Sequence, residues 1–104
     1  MDYEWDEAKN QINVEKHKVG FEEARTVFDD PYAIELEATH KGEYRLIRIG
    51  KTASHIILIV VYTLRGTVIR LISARQANKS ERSLYLEYKL KHRSDEGSHD
   101  KGSC

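Results

Sequence analysis

The stretch His55 to Thr63, reading HIILIVVYT, constrains this 104-residue chain more than any other. It is almost continuously apolar and rich in β-branched residues, as expected of a strand that lies centrally in a sheet and is covered on both faces. Its apolar run, Ile56 to Tyr62, is far shorter than the roughly 20 residues that span a bilayer. A chain of this length has room for one domain.

Period-2 segments surround that strand. Beyond the single proline, Pro31, the residues Tyr32, Ile34 and Leu36 alternate with Ala33, Glu35 and Glu37 and predict a strand. The polar stretch Ala38 to Glu43 turns the chain into a strand over Tyr44 to Thr52, where Arg45 and Arg48 mark a face only partly buried. Leu64 to Thr67 returns the chain into Val68 to Arg75. Strict alternation there puts Ile69, Leu71, Ser73 and Arg75 on one face, and Val68, Arg70, Ile72 and Ala74 on the other.

Before Pro31 the period is helical. Tyr3 to Trp5 reads as a short edge strand, and Asp6 as the N-cap of a helix over Glu7 to His17 with Ala8 and Ile12 on its apolar face. A second helix, Phe21 to Phe28, follows Gly20 with Phe21, Ala24, Val27 and Phe28 on its buried side, and Asp29-Asp30-Pro31 stops it. Near the C-terminus Asn78 and Glu81 form a capping box that opens a third helix through about Lys91. The fold class expected is α+β: a small antiparallel (mixed) sheet of four to five strands, two N-terminal helices and one C-terminal helix. Residues 1–92 form the domain, and residues 93–104 read as a disordered polar tail ending in an exposed Cys104.

Seventeen basic and seventeen acidic side chains cancel, yet they are unevenly spread. Residues 1–38 hold eleven acids against four bases, and residues 39–75 seven bases against one acid. Such a chain either presents a basic surface to a charged partner or neutralises one block with the other across the fold. The acidic start Met1-Asp2-Tyr3-Glu4 lacks the cationic-then-apolar order of a signal peptide, so a cytoplasmic location with no membrane partner is expected. The five histidines and one cysteine show no metal-ligand spacing, and neither a phosphate-binding glycine loop nor a nucleophile elbow occurs. No metal and no cofactor are expected.

What remains is a set of basic and phenolic side chains on or beside the sheet: Arg45, Arg48, Arg65, Arg70, Arg75, Lys79 and Arg82, with Tyr44, Tyr62 and Tyr85. Such a set suits RNA cleavage without metal, in which a base takes the 2′ proton, an acid protonates the 5′ oxygen and cations offset charge on the phosphoryl oxygens. Arginine suits the last role, and His17 is the natural proton carrier, histidine being the side-chain type that exchanges protons most readily near neutral pH. Tyr62 or Tyr85 would stack on an unpaired base. Each residue also has a plainer reading: arginines as a solvated strand face, His17 as a helix-end cap, Ser73 as a sheet-edge hydroxyl, Tyr85 and Trp5 as packing.

Two segments narrow the choice. Residues 3–17, YEWDEAKNQINVEKH, followed by Phe21-Glu22-Glu23-Ala24 and Val27-Phe28-Asp29, form the first. Residues 72–82, ISARQANKSER, form the second, and Arg48-Ile49-Gly50 lies between. Together they closely resemble the opening and closing signatures of the BrnT family of type II toxins, over residues 3 to about 90. The resemblance implies a RelE/ParE-like fold and a ribonuclease toxin that cuts RNA without a metal and arrests growth. It also implies a BrnA-like antitoxin whose ribbon-helix-helix part binds promoter DNA, with two toxins on an antitoxin dimer. The residues it carries over are Lys9 and His17, Arg65, Ser73 and Arg75, then Lys79, Glu81 and Arg82. Arg75 and Arg65 are expected to hold the scissile phosphate, Lys9 to add charge, and His17 or Glu81 to move protons; Ser73, Lys79, Arg82 and Tyr85 would contact substrate. Two other classes stay open: a non-catalytic antitoxin-binding co-repressor, and a toxin directed at a protein such as gyrase. The Gly20 position and the tail after Lys91 depart from the family pattern.

Overall fold

The computed structural model describes residues 2–102, with side chains described through Arg93. Its elements run β1 (Asp2–Glu4), α1 (Glu7–His17), α2 (Phe21–Ala24), β2 (Ile34–His40), β3 (Glu43–Lys51), β4 (Ile57–Arg65), β5 (Val68–Gln76) and α3 (Lys79–Gly102). The sheet order is β1-β5-β4-β3-β2; β1 runs parallel to β5 and every other pairing is antiparallel. β4 is therefore central, and Leu58, Ile59 and Val60 are buried on alternating faces.

One face of the sheet carries the main core. Leu58, Val60, Tyr62, Ile69, Leu71 and Ala74 pack there against Val19, Phe21, Ala24 and Val27. The expected second helix is split: four α-helical residues lead into a 3-10 segment, Arg25–Asp29. The buried residues 21, 24 and 27 recur every three positions, which matches the three-residue turn of a 3-10 helix better than 3.6. Gly50 of β3 lets this segment approach, since a Cβ there would lie 3.1 Å from the Val27 Cβ and 3.3 Å from the Val27 carbonyl oxygen. Arg48 then ties it down, donating to the carbonyls of Val27 (3.0 Å) and Asp30 (3.2 Å) and pairing with Glu35 at 2.6 Å. The turn between β2 and β3 is tighter than the sequence suggests: only Lys41 and Gly42 lie between the strands, both at positive φ, as a type I′ hairpin turn requires.

The opposite face holds a smaller cluster, Ile49, Ile59, Ala77 and Tyr85, flanked by Ile34, Ile47 and Ile57. Tyr85 anchors α3 to it: its side chain is fully buried and its hydroxyl donates to Asp30 at 2.6 Å. Asp30 also accepts from the Lys51 and Tyr32 amides. Burial opposes its charge, but these three donors hold its carboxyl below the ordinary range. The capping box forms as read, with the Glu81 amide donating to Asn78 and the Asn78 amide to Glu81. α3 spans Lys79–Gly102, past the end near Lys91 expected from the sequence. Side chains of the segment expected to be a disordered tail lie outside the described residues beyond Arg93, as does Cys104 entirely.

Two sequence expectations about faces fail. Ile12 is 60% exposed and Ala8 is exposed, whereas Asn13 is buried at 5%; α1 docks through amides rather than through an apolar stripe. In β5 the pairing steps from Val61↔Ser73 to Tyr62↔Leu71, leaving Ile72 as a bulge. The bulge inverts the parity, so Leu71 and Ala74 both enter the main core while Ser73 and Arg75 share the opposite face.

The charge blocks meet across the fold. Glu4 pairs with Arg70 at 2.8 Å and lies 3.9 Å from Arg65, and Glu35 pairs with Arg48. These pairs bring two of the eleven acids of residues 1–38 against three of the seven bases of residues 39–75.

Candidate active site

α1 is held at both ends by its own residues. The Asp6 carboxylate accepts from the Ala8 and Lys9 amides, and Lys18 closes the helix at φ 61°. Two side-chain amides then attach it to the body. Asn10 accepts from the Phe21 amide at 2.8 Å, and Asn13 both donates to and accepts from the backbone of Ala74 on β5.

Against that attachment lies a groove of about 190 Å³ lined by Lys9, Ile12, Asn13, Lys16, His17, Ile72 and Ser73. Lys9, His17 and Ser73, expected on sequence grounds to act together, are thus brought to one place from segments more than fifty residues apart. Lys16 had not been singled out; its position next to His17 in the sequence was the available signal. The groove combines cations, an imidazole and a hydroxyl, the donor set that a phosphodiester requires.

Arg75 follows Ser73 by two residues on the same strand face. Both outer guanidinium nitrogens donate to Glu81, each at 2.8 Å, and one also reaches the Gln76 carbonyl. The hydrogen bonds from Arg75 hold the Glu81 carboxyl down to about 2, and the same contact pushes the Arg75 guanidinium up. Both Glu81 oxygens are engaged, by Arg75 and by the Asn78 amide, so in this structure the carboxylate holds Arg75 and caps α3. Lys79 is exposed at the start of α3, and Arg82 donates to the Ala77 carbonyl at 2.8 Å.

Arg65 is not part of this cluster. It pairs with Val68 at one end of β5 while Arg75 pairs with Ile59 toward the other, six rungs away, a separation of about 20 Å at strand rise. The two arginines expected to share one phosphate cannot do so. Nor does either tyrosine offer a face to a base. Tyr85 has no exposed surface and Tyr62 is 5% exposed, its hydroxyl donating to Glu35; both phenols are shifted upward, chiefly by burial. A larger hollow of about 620 Å³ beside Tyr3, Phe28 and Tyr62 holds Arg48, whose guanidinium is already committed to Val27, Asp30 and Glu35. Among the described residues no three His, Cys, Asp or Glu side chains converge in a metal-binding group, and no helix is long and apolar enough to cross a membrane.

Residues 5–81 match the family model described as ribonuclease toxin, BrnT, of type II toxin-antitoxin system. The chain belongs to the BrnT family. The matched span contains the whole groove together with Arg75, Lys79 and Glu81, whereas Arg82 and Tyr85 lie just beyond it. The fold is also similar to the crystal structure of the Brucella abortus ribonuclease toxin BrnT, at 28% sequence identity and a TM-score of 0.58, covering 76% of this chain and 99% of that one. The comparison with curated proteins gives no match. Membership places the chain among type II toxins, which act opposite an antitoxin, and its family is one of ribonucleases.

Proposed function

We propose that this chain is an endoribonuclease toxin that cuts RNA without a metal ion at the groove between α1 and β5. The observation that carries the reading is the convergence of Lys9, Lys16 and His17 with Ser73 in one groove of a chain from a ribonuclease family. His17 takes the proton of a ribose 2′-OH as that oxygen attacks the adjacent phosphorus. The lysine ammoniums and Arg75 offset the charge that builds on the phosphoryl oxygens, and the Ser73 hydroxyl donates to one of them. The leaving 5′ oxygen takes its proton from a lysine of the groove, so the products are a 2′,3′-cyclic phosphate and a 5′-hydroxyl. A BrnA-like antitoxin neutralises the toxin, two toxins sitting on an antitoxin dimer, and binds promoter DNA through a ribbon-helix-helix domain.

The test is incubation of the purified, antitoxin-free chain with total RNA in EDTA beside His17→Ala and Ser73→Ala. The wild type is expected to give 5′-hydroxyl fragments, and His17→Ala to lose at least about 100-fold in rate, the usual size of a general-base contribution. Growth arrest with intact RNA would move the reading to a protein target, and absence of growth arrest to a non-catalytic antitoxin-binding module.

A further inference from the structure

We infer that Asn13 is a positioning residue of this site, the buried one of the two amides that attach α1 and the one that sets where α1 presents Lys9 and His17 to β5; the inference rests on the function proposed above. The Asn13 side chain donates to the Val19 carbonyl at 2.9 Å and to the Ala74 carbonyl at 2.7 Å, and accepts from the Ala74 amide at 3.1 Å. A primary amide offers a donor and an acceptor side by side, as a neighbouring strand does. β1 covers the same edge of β5 only over Val68–Arg70. At Ala74 the Asn13 amide stands in for the strand that is missing.

The placement of this contact makes it more than a buried polar group finding partners. On α1, Lys9 lies four residues before Asn13 and His17 four after, one helical turn to either side. On β5, Ala74 lies between Ser73 and Arg75. The bidentate bond grips backbone rather than a side chain, so it fixes both the height and the rotation of α1 along the strand. Apolar contact could not do this, because it is non-directional and Ile12 of the same helix is 60% exposed. Directional bonds at the midpoint of the groove hold the two halves of the site in register.

Two variants test it. Asn13→Ala removes the clamp; Asn13→Gln keeps the amide but lengthens its stem by one methylene, so α1 must shift by about an ångström, a displacement that costs on the order of 100-fold in an oriented site. Turnover per folded molecule is expected to fall about that much in both, with KM changed less than about threefold. Leu58→Ala, which leaves a cavity in the main core, controls for lost stability and is expected to keep wild-type kcat once the unfolded fraction is subtracted. Wild-type kcat in folded Asn13→Gln would overturn the inference, and this variant carries the test if Asn13→Ala does not fold. Residual dipolar couplings of the α1 amides supply a readout independent of activity. A changed α1 orientation against an unchanged sheet is expected, and unchanged couplings in a folded variant overturn the inference. If the wild type cuts no RNA, the proposed function fails while the couplings still decide the role of Asn13.

Discussion

Glu81→Gln separates the sequence reading of this site from the structural one. The sequence leaves Glu81 as a candidate proton carrier; the geometry makes it the restraint on Arg75. Glutamine removes the charge but keeps an oxygen able to accept from the Asn78 amide, and is itself a normal capping-box residue. The change therefore acts mainly on the ion pair. Arg75 and Glu81 side chains are 43% and 24% exposed, and pairs this open contribute at most about 1 kcal/mol. Releasing Arg75 from the carboxylate is worth the same amount to a competing phosphate, so KM for RNA is expected to fall about two- to fivefold with kcat near the wild-type value. Stability should move the opposite way and depend on pH. The ion pair holds this carboxyl below its ordinary range, down to about 2, so its contribution is complete above about pH 4.5 and is lost as pH falls toward 2; solvent screening of so open a pair keeps that contribution near 1 kcal/mol, well under the roughly 3 kcal/mol that an unscreened shift of this size carries. Denaturant melts should therefore show Glu81→Gln less stable than wild type by up to about 1 kcal/mol at pH 6, the two converging near pH 2. Loss of cleavage in folded Glu81→Gln, or a stability gap that persists at pH 2, would refute this reasoning.

Arg65→Ala is expected to alter RNA turnover less than about twofold and Arg75→Ala to lower it at least about 30-fold, the size of a lost charged contact to a phosphoryl oxygen; single-turnover assays on both decide whether the 20 Å separation matters. Tyr85→Ala should destabilise the chain by about 3–5 kcal/mol, as for other large buried side chains, and release α3 from the sheet, read as lost amide protection around Lys79 to Lys89. Gly50→Ala would place a methyl group 3.1 Å from the Val27 Cβ and 3.2 Å from the Ala33 Cβ, so that both must give by a few tenths of an ångström, and should cost about 1–3 kcal/mol; an unchanged Tm would show that the 3-10 segment yields freely.

Much of the architecture was legible because it is written in local period. Helix α1 was read with its observed ends, and β4 was recognised as central from its unbroken apolar composition. The α3 capping box followed from two residues three apart. Failures came where a distant element decided. The bulge at Ile72 is a feature of the pairing between β4 and β5, invisible within β5 alone, and it moved Ser73 and Arg75 to the face opposite Leu71. The inward side of α1 is polar because its partner is an uncovered strand edge, so a search for an apolar stripe selected Ile12 in place of Asn13.

The sequence by itself determined the family, the order of helices and strands, and the types of side chain available for phosphate chemistry, since motif, period and composition are properties of neighbouring residues. Tertiary structure alone decided which of those side chains lie together. It joined Lys9, Lys16 and His17 to Ser73, placed Arg65 at the end of β4 away from Arg75, committed Tyr62 and Tyr85 to the interior and paired Glu81 with Arg75. Those outcomes depend on strand register and on which charges meet across the sheet, and both are set only when segments far apart in the chain pack against one another.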